Sequence, residues 1–380
     1  MVLNAASVSR ERSLISHRFS AEGSREPGNL QPSQLRFIAE VKSRLQSGTY
    51  GLEGSACPCG GASGTVVSEV DRYGLPLNFL ICAACGTMRI DPYLDSQSLE
   101  DFYGRFFQHM YARATDIETY FQKQSTYGEK ILGLTKNWLR PGSLVCELGC
   151  GAGGALNVFR KNGYRITGCD YSPELIAAGK KRGLADIYEG SLRNNQTGRA
   201  DLIYLHHVFE HVNAPLELLR ECRNQLAPGG KIIVIVPDVS RIDRSTFIAG
   251  DLLVFLHIAH KYNFSVEGLR RLAVRAGLNM RRLEPDPKIQ TSWSVMPELW
   301  IEFAPAAFDE SPTLPTTLEV ENHGARMLNY LRRTEKLFSL GLCRGQLSAR
   351  LSEVKHSIET NLHRVRRVTP AKIIHRLRRA

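Results

Sequence analysis

The chain has 380 residues, of which 43% are apolar and 23% charged, so it can bury one full α/β domain with smaller modules around it. Its net charge of +11 lies entirely beyond Gly324, where 14 Lys or Arg face 3 Glu, so the body of the chain is neutral and needs no basic-surface function. The longest membrane-like apolar run, Leu252 to Ala259, is too short to span and contains His257, which excludes a transmembrane segment there.

Residues 1–50 open with a Ser-, Arg-, Gly- and Asn-rich stretch to residue 34 that lacks periodicity and is expected to be disordered. Leu35 to Gln46 then has the spacing of a short amphipathic helix. Residues 51–95 carry two cysteine pairs, Cys57 with Cys59 and Cys82 with Cys85, each followed by glycine. Thr65 to Val70 and Leu77 to Ile81 alternate like the two strands of a hairpin, which would bring the pairs to one point. Four thiolates converging there predict a tetrahedral, structural Zn2+ site in a small N-terminal module, although the first pair is one residue shorter than a usual knuckle.

Residues 96–140 are rich in aromatics, among them Tyr103, Phe106, Tyr111, Tyr120 and Tyr127, and read as a helical linker packed on the domain that follows. Leu144 to Leu148 is a short apolar run containing Glu147, and Gly149, Gly151, Gly153 and Gly154 follow it before a helical stretch. A buried strand turning sharply into a helix is expected, with glycines where a ligand approaches the backbone. This is a nucleotide-type cofactor site, and Glu147, Gly149, Cys150 and Gly151 are its contacting positions. The next strand ends on Asp170, 21 residues after Gly149, placed to accept from two ribose hydroxyls. That acid suits NAD and S-adenosylmethionine equally, but Glu147 would repel a pyrophosphate and welcome a cationic amino-acid moiety. Tyr171 can pack on an adenine face.

A fourth strand, Asp201 to His206, runs into His207-Val208-Phe209-Glu210-His211-Val212, and a fifth follows Leu226-Ala227-Pro228-Gly229-Gly230. With these the chain resembles the class I S-adenosylmethionine-dependent methyltransferases over about residues 125 to 305, specifically the small-molecule branch with Glu-His-Val after strand four and Pro-Gly-Gly before strand five. The resemblance implies a Rossmann-like α/β fold with a seven-stranded sheet, here residues 141–305, and S-adenosyl-L-methionine as cofactor. The cysteine module ahead of such a domain is similar to that of sugar C-methyltransferases and related enzymes of natural-product and surface-glycan pathways. In similar enzymes residues 96–140 cap the cofactor, which would bring Tyr103 and Tyr111 to it or to the substrate. The position after Gly190 normally holds an acid for the adenine amine. Ser191 stands there, beside Leu192.

In such an enzyme the acceptor's proton must be removed, and histidine suits that work. His207 is the first candidate for the base, with His211 and Glu210 beside it either as partners or as a helix-starting element. His206 would contact the cofactor's methionine part through its backbone. His260 and Tyr262, in the loop after the fifth strand, are rivals for the base. A His-Glu-His metal site has little support, since the histidines lack the three-residue gap of a helical ligand pair.

Leu278 to Leu283 and Ser294 to Phe303 are expected to complete the sheet. Residues 306–380 read as a proline-containing linker and a C-terminal basic helical arm, suited to a partner protein or an anionic membrane surface. The arm has no aromatic after Phe338, and strand four lacks an amino-methylating Pro-Pro element, both of which argue against nucleic acid. A sugar or glycan-linked small molecule is the expected acceptor. Buried-strand cysteines and the want of a leader place the enzyme in the cytoplasm, with the arm able to hold it at the inner membrane face. A non-enzymatic assembly protein keeping the fold is the alternative.

Overall fold

A computed structural model describes residues 10–23, 30–111, 116–194, 197–245, 250–285, 296–306, 322–348 and 350. The N-terminal part contains β1 (Arg10–Arg12), α1 (Pro32–Gln46), β2 (Leu52–Glu53), β3 (Gly64–Val70), β4 (Pro76–Cys82), β5 (Met88–Ile90) and β6 (Tyr93–Leu94). Next come α2 (Ser96–Phe102), a π-helical turn over Tyr103–Phe107, α3 (Gln108–Tyr111) and α4 (Ile117–Thr135). The domain that follows is built from β7 (Leu144–Leu148), α5 (Gly154–Lys161), β8 (Arg165–Asp170), α6 (Pro173–Lys181), β9 (Ile187–Glu189), β10 (Ala200–His206), α7 (Pro215–Asn224) and β11 (Leu226–Pro237). It continues through β12 (Tyr262–Asn263), α8 (Val266–Ala276), β13 (Leu278–Arg282), β14 (Glu298–Pro305) and α9 (His323–Ser339).

Seven of these strands form one mixed sheet in the order β13-β14-β11-β10-β7-β8-β9, in which β14 alone runs antiparallel to both its neighbours. Every residue of β7 is buried, as expected of a strand covered on both faces. Side chains alternate between two cores. Leu144, Cys146, Ile203, Leu205, Val234 and Ile301 pack toward α7 and α8, while Val145, Leu202, Tyr204, Ile233 and Trp300 pack toward α4, α5 and α6.

A second sheet has the order β1-β3-β4-β5-β12. Its last strand comes from the loop after the fifth core strand, with Tyr262 opposite Arg89 and Asn263 opposite Met88. The cysteine module, read from its sequence as a separate unit over residues 51–95, is thus finished by residues of the following domain.

Two further expectations change. Within the stretch read as disordered, residues 10–23 are ordered: β1 pairs with β3, and Ile15 and Phe19 are buried in a third core with α1 and the π-helical turn. Polar composition hid two apolar anchors. The first helix of the arm, α9, is docked on the body: Leu331 is fully buried, Arg18 bonds both oxygens of Glu335 at 2.6 Å, and Arg332 Nη2 reaches Ser13 Oγ at 2.6 Å. One of its charges, Glu335, is paired across the chain with Arg18. The rest of the arm, from residue 351, lies outside the described residues. Among the described residues no helix is long and apolar enough to cross a membrane.

Candidate functional site

The carboxyl ends of β8, β7 and β10 finish level, with Leu148 paired to Cys169 on one side and to Leu205 on the other. The chain turns at Gly149 and stays close to the sheet, because the amides of Gly149 and Cys150 both donate to the Cys169 carbonyl, at 2.8 and 3.0 Å. Gly149 has φ +71°, and a Cβ there would fall 2.3 Å from Val208 Cγ2 of the strand-four loop. No larger residue fits. On the outer side α4 clips the turn: Gln124 Nε2 donates to the Cys150 carbonyl at 2.9 Å, and Gln124 Oε1 accepts from the Gly154 amide at 3.3 Å. A Cβ on Gly151 would collide with Gln124 and Tyr120.

Glu147 lies beneath this turn, 3% exposed, and accepts from the Tyr204 hydroxyl at 2.8 Å. Burial lifts its carboxyl well above the usual value, and the hydrogen bond from Tyr204 offsets this only in part. A cation arriving in the turn would find a carboxyl ready to ionise against it. Asp170 closes the other wall. Its Oδ2 accepts from the Gly151 amide and its Oδ1 from the Ser172 amide, both at 2.8 Å. A carboxylate offers about four lone-pair positions, so two stay available for hydroxyl donors. Burial raises Asp170 against these backbone donors. Tyr171 is 77% exposed and stands at the rim, Leu192 is buried, and Ser191 is partly exposed between them.

The predicted histidines gather at the end of β10, around two glutamates. His207 has the left-handed φ of 53°, the only described non-glycine residue with a positive value. Its Nδ1 lies 3.0 Å from Glu210 Oε1 and its Nε2 2.9 Å from Glu298 Oε1. Burial opposes charge on this ring, but the bonds to Glu210 and Glu298 prevail and raise it to about 10. With a carboxylate oxygen facing each ring nitrogen, the surroundings of His207 favour the imidazolium. A ring paired with two carboxylates in this way is poorly suited to accept a proton, the role expected of it.

The His206 ring lies tilted against Tyr127 with ring centroids 3.7 Å apart, and burial lowers it to about 4. His211 Nδ1 is 2.7 Å from the Ala259 carbonyl, which requires the proton on Nδ1, so that Nε2 is the nitrogen turned to other partners. Tyr103 Oη is 3.1 Å from the same Nδ1 and 3.2 Å from the same carbonyl. His260 packs edge-on against His211 at 4.7 Å, with its Nε2 3.8 Å from Glu210 Oε1. Burial lowers His260 well below the ordinary histidine value, so it is neutral. Tyr262 is turned away, with its hydroxyl toward the Asn213 carbonyl at 3.5 Å and its phenol held protonated by burial. The Tyr111 side chain lies outside the described residues.

Sequence reasoning did not find Gln124, Tyr204 or Glu298. Glu298 also accepts from Tyr127 Oη at 2.9 Å and Trp300 Nε1 at 3.0 Å, yet it sits in a strand 91 residues from His207. Only the alternation of β14 hinted at where it points.

The four paired cysteines form a separate cluster. Cys57 and Cys85 sulfurs are 3.7 Å apart, Cys59 and Cys82 sulfurs 3.6 Å, and all four lie within 4.8 Å of one another. The Gly61 amide donates to Cys59 Sγ at 3.3 Å and the Thr87 amide to Cys85 Sγ at 3.4 Å, the bonds of two knuckle turns. Behind the cluster, Ser265 Oγ, the N-cap of α8, donates to the Cys85 carbonyl.

Residues 119–283 match the family model described as "Methyltransferase domain". The chain is 30% identical over 101 residues to a ubiquinone biosynthesis O-methyltransferase of Xanthomonas oryzae pv. oryzae, covering 24% of this chain and 42% of the relative. It is 26% identical over 185 residues to C-methyltransferase NovU of Streptomyces niveus, covering 46% of this chain and 42% of NovU. The chain thus spans about two fifths of the length of these curated relatives. Among solved structures, the plantazolicin methyltransferase BpumL in complex with a triazolic desmethylPZN analog and SAH is 13% identical, with TM-score 0.42, over 55% of this chain and 95% of BpumL. A glycine turn between Glu147 of β7 and Asp170 at the end of β8 lies within the stretch the family model covers, and residues 119–283 carry a methyltransferase domain.

Proposed function

We propose that the protein transfers a methyl group from S-adenosylmethionine to a small-molecule acceptor of the sugar, glycan-linked or other natural-product class. The observation that carries this is the level ending of β7, β8 and β10, which gathers Glu147, the Gly149–Gly151 turn, Asp170 and the histidine cluster at one end of the sheet. The cofactor supplies an already activated methyl group, so the protein's work is alignment and handling of the acceptor's proton. Glu147 balances the positive amino-acid end, Asp170 takes the ribose hydroxyls, and Gln124 fixes the turn against them. Of the residues facing the acceptor, His260 is neutral with no ring hydrogen bond among the described residues, the property a proton acceptor needs. His207 instead fixes Glu210 in place. The likeness to both an O- and a C-methyltransferase supports the reaction type, while the cysteine module supports the acceptor class.

Zinc fits the four-cysteine cluster. Four sulfurs at about 2.3 Å from a tetrahedral ion stand about 3.8 Å from one another, close to the separations of 3.6 and 3.7 Å found here. Its role would be structural, since all four positions are protein sulfur. Calorimetric titration with S-adenosylmethionine and, separately, with NAD tests the cofactor. Binding of the first alone is expected, followed by methyl transfer in a screen of nucleotide sugars and glycan fragments. Binding of NAD, or of neither, would overturn the reading.

A further inference from the structure

Two buried polar atoms of the histidine cluster, Glu210 Oε2 and His260 Nδ1, have no hydrogen-bond partner among the described residues. Glu210 is fully buried and His260 is 7% exposed, so solvent does not satisfy them. Orphaned groups of this kind call for a missing water or ion. The third member of the group is His211, whose Nδ1–H is committed to the Ala259 carbonyl, which leaves Nε2 as the nitrogen able to bind a metal. One ligand atom each from Glu210, His211 and His260 lies within 4.8 Å of the others.

The group offers a carboxylate oxygen and one nitrogen from each of two imidazoles, a donor set that gathers lone pairs at one place. A cation satisfies all three donors together. Two imidazoles and one carboxylate suit a first-row divalent ion, and three protein ligands leave positions open, as in catalytic rather than closed sites. Donors at about 2.1 Å from such an ion stand about 3–4 Å apart, and His260 Nε2 is already 3.8 Å from Glu210 Oε1. The supports are present too: His207 holds Glu210 Oε1 at 3.0 Å, and the Ala259 carbonyl holds the His211 ring. The neighbouring group of His206, His207 and Glu298 is a poorer site, because His207 and Glu298 already satisfy each other.

We propose that Glu210, His211 and His260 form a second metal site, distinct from the cysteine cluster, which binds a first-row divalent cation and through it an oxygen of the acceptor. This rests on the methyl-transfer reading, and deepens it: the acceptor class becomes one that offers a hydroxyl or enolate oxygen as a ligand, and the ion takes the place of direct proton acceptance by His260. Its ligands come from a turn after β10 and a loop nearly fifty residues later, so no local spacing announces it.

The test is titration of the full-length, zinc-loaded protein with Co2+ alone, followed by visible absorption, with S-adenosylmethionine affinity measured on the same samples. One further equivalent of Co2+ is expected, with ligand-field bands but no added sulfur-to-metal charge transfer. Glu210→Gln and His260→Ala should each weaken it at least tenfold while zinc content and S-adenosylmethionine affinity stay unchanged. If wild type binds S-adenosylmethionine but no second equivalent, or if both variants bind Co2+ as wild type does, the site is overturned. Should Glu210→Gln lose zinc or the cofactor, His260→Ala and the wild-type titration still decide. Loss of S-adenosylmethionine binding in wild type would instead strike the methyltransferase reading, whatever the cobalt does.

Discussion

Glu298 Oε1 lies 2.9 Å from His207 Nε2, and this contact makes the end of β10 answer to pH. His207 holds its proton in the folded chain up to about 10, above its ordinary 6.5. Its contribution to stability is therefore complete below about pH 6.5 and is lost as the pH rises through about 10. Glu298 works from the other side. Burial opposes its charge, but the two histidines hold it below the ordinary 4.5, so its contribution is present above that value and is lost as the pH falls. His206, lowered to about 4 by burial, resists protonation in the folded chain and subtracts stability as the pH drops below its ordinary 6.5. Thermal melting between about pH 6.5 and about pH 10 should fall for the wild type and fall less steeply for His207→Gln. Parallel curves would disprove the imidazolium.

Asp170→Ala should weaken S-adenosylmethionine binding by roughly ten- to a hundredfold, since hydrogen bonds to a charged acceptor are worth about 1.5–3 kcal/mol. Part of the loss comes from the turn itself, because the Gly151 amide is held by the same carboxylate. Asp170→Asn should fall between, keeping one acceptor oxygen. Calorimetry reads both, and an unchanged Asp170→Ala affinity would remove Asp170 from the ribose.

Removing zinc with a chelator, or replacing Cys82 with Ser, should lower the melting temperature by roughly 10 °C, taking several kcal/mol of site energy at about 2–4 °C for each. Methyl transfer should fall with it. Ser265, which caps α8 five residues after His260, hydrogen-bonds Thr87 Oγ1 at 3.2 Å as well as the Cys85 carbonyl. Zinc content measured alongside activity checks this, and full activity in the metal-free protein would show the knuckle to be independent of the histidine loop.

Arg18→Ala should destabilise the protein by about 2 kcal/mol, less than a fully buried pair would cost because Arg18 is itself partly exposed. The variant leaves Glu335, 4% exposed, without its bidentate partner. Denaturant unfolding measures the loss, and Arg18→Lys should recover only part of it. A change within error would mean that the Arg18–Glu335 pair does not help to hold α9.

The parts of this structure legible in the sequence are those written in contiguous residues. β7 and its turn show as an apolar run followed by glycines, and the cysteine pairs show by spacing. What stayed hidden was long-range pairing between polar groups. His207 looked like a free base because its second partner, Glu298, lies on a distant strand. Likewise α9 read as part of a basic arm suited to outside partners because Glu335 pairs with Arg18, 317 residues away, in a stretch whose composition reads as disordered. Gln124 was one polar residue among many on a helix, with nothing local to mark that it would face the glycine turn.

The two residues of β12 decide whether the chain can be treated as interchangeable parts. Until residue 263 has been made, β5 presents an unpaired edge, and such edges invite pairing with other chains. The N-terminal sheet therefore waits through the synthesis of β7 to β11 before it is closed. A fragment ending near residue 140 should aggregate, and a graft of the cysteine module onto another enzyme would have to carry Leu252 to Ser265 with it.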